Sequence, residues 1–151
     1  MRYTDVALKK TSSGYYDVSI GEDGDVVKTD SFDTALLLSI FCERRADSSE
    51  VPEPQRRRGW IGNLFGAVEY GSKLWLLYQA RLTVNNVNRA RGYLEQALSW
   101  LVDFGYLRRV VVQTRRDLDT GSLIADIQLQ RFDDKIDERS YTLWDNTGRI
   151  G

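Results

Sequence analysis

The chemically able side chains of this chain gather in one stretch. Arg44, Arg45, Arg56, Arg57 and Arg58 alternate there with Glu43, Asp47, Glu50 and Glu53, and Gly59-Trp60-Ile61-Gly62 closes the run. Guanidinium groups are planar donor forks that suit carboxylates, phosphates or backbone carbonyls. Paired carboxylates are the groups a glycoside hydrolase needs, about 5–9.5 Å apart across a cleft. Arg56-Arg57-Arg58 beside Trp60 is the kind of set that grips phosphates and stacks a base. The stretch therefore admits three chemistries: acid–base hydrolysis, nucleic-acid binding, and contact with other polypeptides.

Composition narrows these. The chain has 151 residues, no histidine, one cysteine and a net charge of -1. Without histidine there is no Ser-His-Asp or Cys-His machinery and no imidazole general base. A four-ligand Cys/His zinc site and an intramolecular disulfide are excluded as well. Among carboxylates, Glu50 and Glu53 sit in a loop punctuated by Pro52 and Pro54, and Glu43 falls beside Arg44, so no catalytic residue is assigned. Near-neutral charge argues against a general nucleic-acid binder, whose total is normally strongly basic. Three adjacent arginines among neighbouring acids read first as an ion-paired loop. Cys42 reads as a small buried hydrophobe. Glu22, Asp23 and Asp25 cluster in a glycine turn, but their spacing does not fit an EF-hand loop. No metal or cofactor is expected.

Contact with other proteins is the reading that remains. Both prolines of the chain fall in the arginine stretch, and proline fixes its own φ and restricts the residue before it. So ornate a loop is either a packing device or a contact surface. The chain also carries four tryptophans. Tryptophan and arginine are enriched at interface hot spots, although two or three of the four are expected in the core.

The elements that must hold this stretch follow in order. Tyr3 to Leu8 and Tyr15 to Ile20 read as a hairpin around Thr11-Ser12-Ser13-Gly14. Asp30-Ser31 reads as the cap of a helix running to about Glu43, apolar nearly all round and so buried on several sides. Leu64 to Val68 is a short apolar run bounded by glycines. Gly71-Ser72 opens an expected second helix, about Lys73 to Leu82. Thr83 caps a third, about Val84 to Phe104, in which Val87, Ala90, Leu94, Ala97, Leu98 and Leu101 recur at three- and four-residue spacing. Gly92 within it suggests a close packing contact, and Gly105 is placed to end it. Three strands follow, over 108–116, 123–130 and 140–144, with turns at Asp117 to Gly121 and Asp133 to Lys135. Asn146 to Gly151 is expected to fray. The expected class is α+β in one domain over residues 1–151: an N-terminal β-hairpin, three helices, and a C-terminal antiparallel meander packed on the helices. Residues 1–20 lack a signal-peptide core and no run is long enough to span a bilayer, so a cytosolic chain without membrane partners is expected. The last strand, with Thr142 and Trp144, is a candidate free edge, and a free edge is a template for another chain.

The order of motifs resembles a known family. Ile40 to Asp47, Pro52, Arg57-Arg58-Gly59-Trp60-Ile61-Gly62 and Gly71-Ser72-Lys73-Leu74-Trp75 resemble the small baseplate wedge protein of Mu-like contractile-tailed phages. Asp5-Val6-Ala7-Leu8 and Leu98-Ser99-Trp100-Leu101-Val102-Asp103 extend the likeness. The resemblance implies a structural virion protein, assembled in the host cytoplasm and present in multiple copies. It would bind larger wedge proteins and offer a sheet edge to tail sheath subunits. It implies further that Arg44, Arg45, Arg57 and Arg58 dock neighbouring chains, and that Gly59 and Gly62 let the backbone turn beside Trp60. Some relatives in larger contractile phages carry a lysozyme-like label, which the residues here do not support.

Overall fold

The computed structural model describes residues 5–13, 16–29, 32–66, 68–78 and 80–144. The ends of the chain, including the expected fraying of Asn146 to Gly151, and the expected Asp30-Ser31 cap lie outside these residues.

The class is α+β, but two expectations fail. The N-terminal region is not one hairpin of two strands. Four short strands, β1 (Asp5–Val6), β2 (Leu8–Lys10), β3 (Tyr16–Val18) and β4 (Lys28–Thr29), form two small antiparallel sheets, β1 with β4 and β2 with β3. Ala7 joins them, donating its N–H to Val27 O and accepting from Ser19 N. The second failure is the middle helix. Among the described residues there are two α-helices, α1 (Asp33–Phe41) and α2 (Val84–Asp103). Lys73–Leu77 is a short 3-10 turn instead. At three residues per turn, positions three apart eclipse, which stacks Leu74 over Leu77, both buried. The turn is also clamped at its start. Ser72 Oγ donates to Ile40 O, and Trp75 Nε1 donates to Arg44 O. Tertiary anchors override the helical propensity of the segment.

α1 is buried through Thr34, Ala35, Leu36, Leu37, Ser39 and Ile40. It stops two residues before the expected Glu43, because Cys42 turns extended (ψ 150) and Glu43 pairs with Ser72 in a parallel bridge. Phe32 holds its N-cap position without a side-chain cap bond. In α2, Thr83 Oγ1 accepts from Asn86 N, satisfying one of the free N–H groups at the helix start. Ala90, Leu94, Ala97, Leu98 and Leu101 are buried as their spacing requires. Gly105, at φ 77, closes the helix, and Tyr106 N then reaches back to Leu101 O. Gly92 does not mark close packing: a Cβ built there meets nothing within 4 Å.

The C-terminal sheet runs β5 (Arg109–Asp117), β6 (Ser122–Gln130), β7 (Ile136–Trp144), all antiparallel in that order. β7 begins earlier than the expected Ser140. One face of the sheet carries Val112, Leu123, Ala125, Ile127 and Leu129 into a core shared with Leu36, Ile40, Leu94, Leu98 and Leu101. The other face is polar, with Arg115 bonded to Asp126, Asp126 to Ser140, and Gln128 to Glu138. Burying each leucine or isoleucine stabilises the fold by about 1.5–3 kcal/mol, so this one cluster fixes α1, α2 and the sheet against one another.

The two edges of that sheet differ. α2 packs against β5 more than against any other strand. Thr114 Oγ1 donates to Val87 O, and Arg116 donates to Leu82 O just before the helix. Among the described residues β7 pairs only with β6, and no backbone hydrogen bond reaches its far side.

Candidate functional site

Residues 43–60 form a closed loop whose legs are tied together. Trp60 N donates to Glu43 O at 2.8 Å, and Ala46 N donates to Arg57 O at 2.9 Å. The reversal uses Arg58 at φ 54 and Gly59 at φ 119. Few side chains tolerate such dihedrals in succession, which is why a glycine stands there.

The arginines mostly face inward. Arg57 donates from Nε to Val51 O and from Nη2 to Pro52 O, both at 2.8 Å. Arg45 donates to Arg58 O and to Pro54 O. Arg44 donates to Glu69 O at 2.8 Å, and its Nε lies 3.9 Å from the Glu69 carboxylate. The forks of Arg45 and Arg57 thus collect carbonyls of the proline segment, which has no regular ladder to satisfy them, while Arg44 reaches across to Glu69. Arg58 differs. Its Nη1 meets Glu43 Oε1 at 2.7 Å, its guanidinium carbon stands 4.9 Å from the Trp75 ring centroid, and its side chain is half exposed.

Lys73 ties the loop to the body. Its side chain is buried, yet Nζ reaches Asp47 Oδ2 at 2.7 Å and Glu50 Oε2 at 3.0 Å. Glu50 in turn accepts from Asp47 N. Of the sequence candidates for acid–base work, Glu43 and Glu50 are therefore spent on ion pairs. The Cys42 thiol is pushed up by burial and by the neighbouring Glu43, away from thiolate chemistry.

Beyond the loop the chain makes a 3-10 turn, Ile61–Leu64. Trp60 folds back over Gly62, so closely that a Cβ there would stand 2.4 Å from the indole. The indole also meets the Tyr70 ring edge-on at 6.2 Å, and Tyr70 meets Trp100 at 5.3 Å. Asn63 pins the turn by exchanging two hydrogen bonds with the Tyr70 backbone. What this rigid turn presents is apolar: Ile61 is 70% exposed, Leu64 79%, Phe65 85% and Trp60 40%. Trp60, Ile61 and Leu64, with Arg58 and Glu69, border an open groove of about 450 Å³. Large apolar side chains in one exposed patch mark an interaction site.

The structure thus brings Arg44, Arg45, Arg57, Arg58, Gly59 and Trp60 together. Thr142 and Trp144 lie apart from them, on β7. The Trp144 side chain is 5% exposed and packs edge-on against Tyr78, so only its main chain belongs to the strand edge. The pairing is irregular there: Ile124 faces Thr142 and Leu123 faces Trp144, leaving Leu143 as an extra residue. Sequence reasoning missed Leu64 and Phe65 as surface residues and Lys73 as the anchor. A short apolar run between glycines has no periodicity to show which way it faces.

The family described as phage protein GP46 matches residues 32–136. The chain belongs to that family. Among its GP46 relatives, the baseplate protein gp46 of Escherichia phage Mu is 39% identical over 100 residues, 64% of this chain and 69% of the relative. The Mu-like prophage FluMu protein gp46 of Haemophilus influenzae is 32% identical over 101 residues, 66% of this chain and 68% of the relative. The resemblance to a Mu-like phage baseplate family is upheld. The GP46 match contains α1, the arginine loop, the apolar turn, α2, β5 and β6, and ends on the first residue of β7.

Proposed function

We propose that this protein is a structural subunit of a phage tail baseplate, a wedge component that holds larger wedge proteins and starts the sheath by strand addition. It acts without catalysis, cofactor, nucleic acid or membrane. It is built into the virion in multiple copies after synthesis in the host cytoplasm.

The observation that carries this reading, beside family membership, is the apolar turn at Ile61, Leu64 and Phe65 standing on a loop braced from within. The guanidinium groups of Arg44, Arg45 and Arg57 are occupied by their own chain. Their role is to hold the turn in place, and the turn, with Arg58 at its rim, makes the contact. This changes the division of labour expected from the sequence, in which the arginines themselves docked the partner.

Sheath initiation belongs to β7. Among the described residues no other strand's backbone bonds to its outer side, whereas β5 is flanked by α2. Strand addition draws affinity from main-chain bonds and register from alternating side chains.

The test is co-purification with a large wedge protein of the same phage. Wild type is expected to be retained. Ile61→Ser, Leu64→Ser and Phe65→Ser together should leave a folded protein that is not retained and does not enter baseplates. Normal incorporation of the triple variant would remove the turn from the interface. Failure of the wild-type protein to bind any baseplate component would remove the function.

A further inference from the structure

β7 carries charges where its pattern calls for core. Side chains of a strand alternate between the two faces of a sheet. Asp137 lies opposite Leu129 and Arg139 opposite Ile127, both buried, so the two charged residues share the face that packs on the helices. Both are engaged there. Arg131 Nη2 meets Asp137 Oδ2 at 2.6 Å, and Arg139 Nε donates to Oδ1 of Asp33, in the first turn of α1, at 2.8 Å. Inward-pointing charges on an edge strand are one way a fold keeps that edge from pairing indiscriminately.

The main chain shows where the Arg139 side chain goes from there. Arg131 N donates to Lys135 O, in the register that sets Gln130 opposite Ile136, so the Lys135 carbonyl points toward β6. Carbonyls along a strand alternate in direction. Those of Asp137 and Arg139 therefore also point toward β6, and those of Ile136, Glu138 and Ser140 point to the outer side. Arg139 Nη1 donates to the Glu138 carbonyl at 2.9 Å. One guanidinium thus wraps the edge, fixed to α1 through Asp33 and capping an outward acceptor of its own strand. It does so at the middle of the regular stretch 136–142, ahead of the irregularity at Leu143.

We propose that Arg139 is a latch on this edge: in the free protein it holds an acceptor that an added strand needs, and it lets go only when such a strand displaces it. The proposal rests on the reading of β7 as the strand that sheath subunits extend, and adds a control to it. An incoming strand bonds to the outward groups of β7 in turn, and Glu138 lies between Ile136 and Ser140, so pairing meets the capped carbonyl midway. Displacement frees that carbonyl for the partner's N–H and leaves the guanidinium with Asp33. The latch also keeps copies of this chain apart. Two β7 edges brought together antiparallel about a two-fold axis, at full overlap of 136–142, set Arg139 against Arg139, and like charges directly opposite are destabilising.

Association of the full chain with immobilised sheath protein of the same phage tests this, with Arg139→Gln and Asp33→Asn beside wild type. Glutamine keeps much of the stem but not the fork, and asparagine leaves Arg139 in place but loosens its hold. Both variants should associate at least about tenfold faster than wild type, because binding that waits on a rearrangement is slow. Loss of a residue that only stiffened the fold would not speed capture. If Arg139→Gln lowers the thermal midpoint markedly, Asp33→Asn is the variant that decides. Wild type that binds while the deciding variant associates no faster overturns the latch and leaves strand addition standing. If none of the three binds, strand addition itself falls, and the latch with it.

Discussion

Lys73 Nζ lies 2.7 Å from Asp47 Oδ2, joining a buried ammonium to a carboxylate that is itself largely in solvent. The pair crosses from the body to the arginine loop, and Glu50 completes it at 3.0 Å. Replacing Lys73 with Met keeps the buried stem and removes the charge. Amide exchange at Ala46 and Trp60, whose N–H groups close the loop, should then quicken by about tenfold or more, with the core of α2 unaffected. Unchanged exchange would mean that the loop stands without this anchor.

The same contact gives a pH window. The hydrogen bond from Lys73 holds the Asp47 carboxyl below its ordinary range. Its stabilisation is present at neutral pH and is lost as pH falls through that lowered native value. For Lys73, burial alone would pull the ammonium down, but Asp47 and Glu50 outweigh it and the net shift is upward. That contribution is complete below the ordinary lysine value, about 10.4, and is lost as pH rises through the higher native one. Urea titrations of wild type and Lys73→Met, followed by tryptophan fluorescence, should therefore differ most between about pH 5 and pH 10 and converge outside it.

Gly71 and Gly92 should respond oppositely to alanine. Gly71 has φ 109, and a Cβ there would stand 2.7 Å from Cys42 O and 2.9 Å from Arg44 N. Gly71→Ala should cost about 2–3 kcal/mol or more, because left-handed strain adds to a backbone clash. Gly92 is helical with open space around it, so Gly92→Ala should gain up to about 1 kcal/mol. Denaturation midpoints for the two variants settle the comparison.

Ser39 accepts the Trp100 indole N–H at 3.0 Å, in a fully buried position. Ser39→Ala should leave that donor unsatisfied and destabilise the protein by about 1–3 kcal/mol. A loss well under 0.5 kcal/mol would mean that the indole finds another acceptor.

Proline separates the two sides of β7. Successive residues of a strand point their N–H groups to opposite sides, and proline removes one of them. Arg139 and Ser140 lie in the regular part of the β6–β7 register, away from the irregularity at Leu143. Of Arg139→Pro and Ser140→Pro, one should break the bond to β6 and lower stability by about 3 kcal/mol. The other should stay folded yet fail to initiate sheath. Alanine at each position controls for the side chain, including the Arg139–Asp33 ion pair. Normal sheath on both proline variants would remove β7 as the template.

Legibility in the sequence followed periodicity. The buried face of α2 and the alternation of Leu123, Ala125, Ile127 and Leu129 could be read directly, since each repeats a single local rule. The turn at Lys73–Leu77 could not. Its apolar stripe suits a helix, and only contacts from Ile40, Arg44, Asp47 and Glu50, distant in sequence, impose the tighter winding. The small N-terminal sheets depend in the same way on Ala7 bridging two partners. In the loop, the residue types of the site were visible but their direction was not. Nothing in Arg44 or Arg57 tells a reader that the fork faces the chain's own carbonyls. Nothing in Leu64-Phe65 says that these side chains point away from the core.

The fold of Trp60 over Gly62, with Asn63 clasping Tyr70, has a kinetic consequence. In the proposed contact, the backbone that carries Ile61 and Phe65 is already fixed by folding, so an arriving partner would not bear that entropic cost again. Capture would then proceed as a meeting of finished shapes, at a rate set by diffusion and orientation, without a waiting period while a floppy segment finds its form.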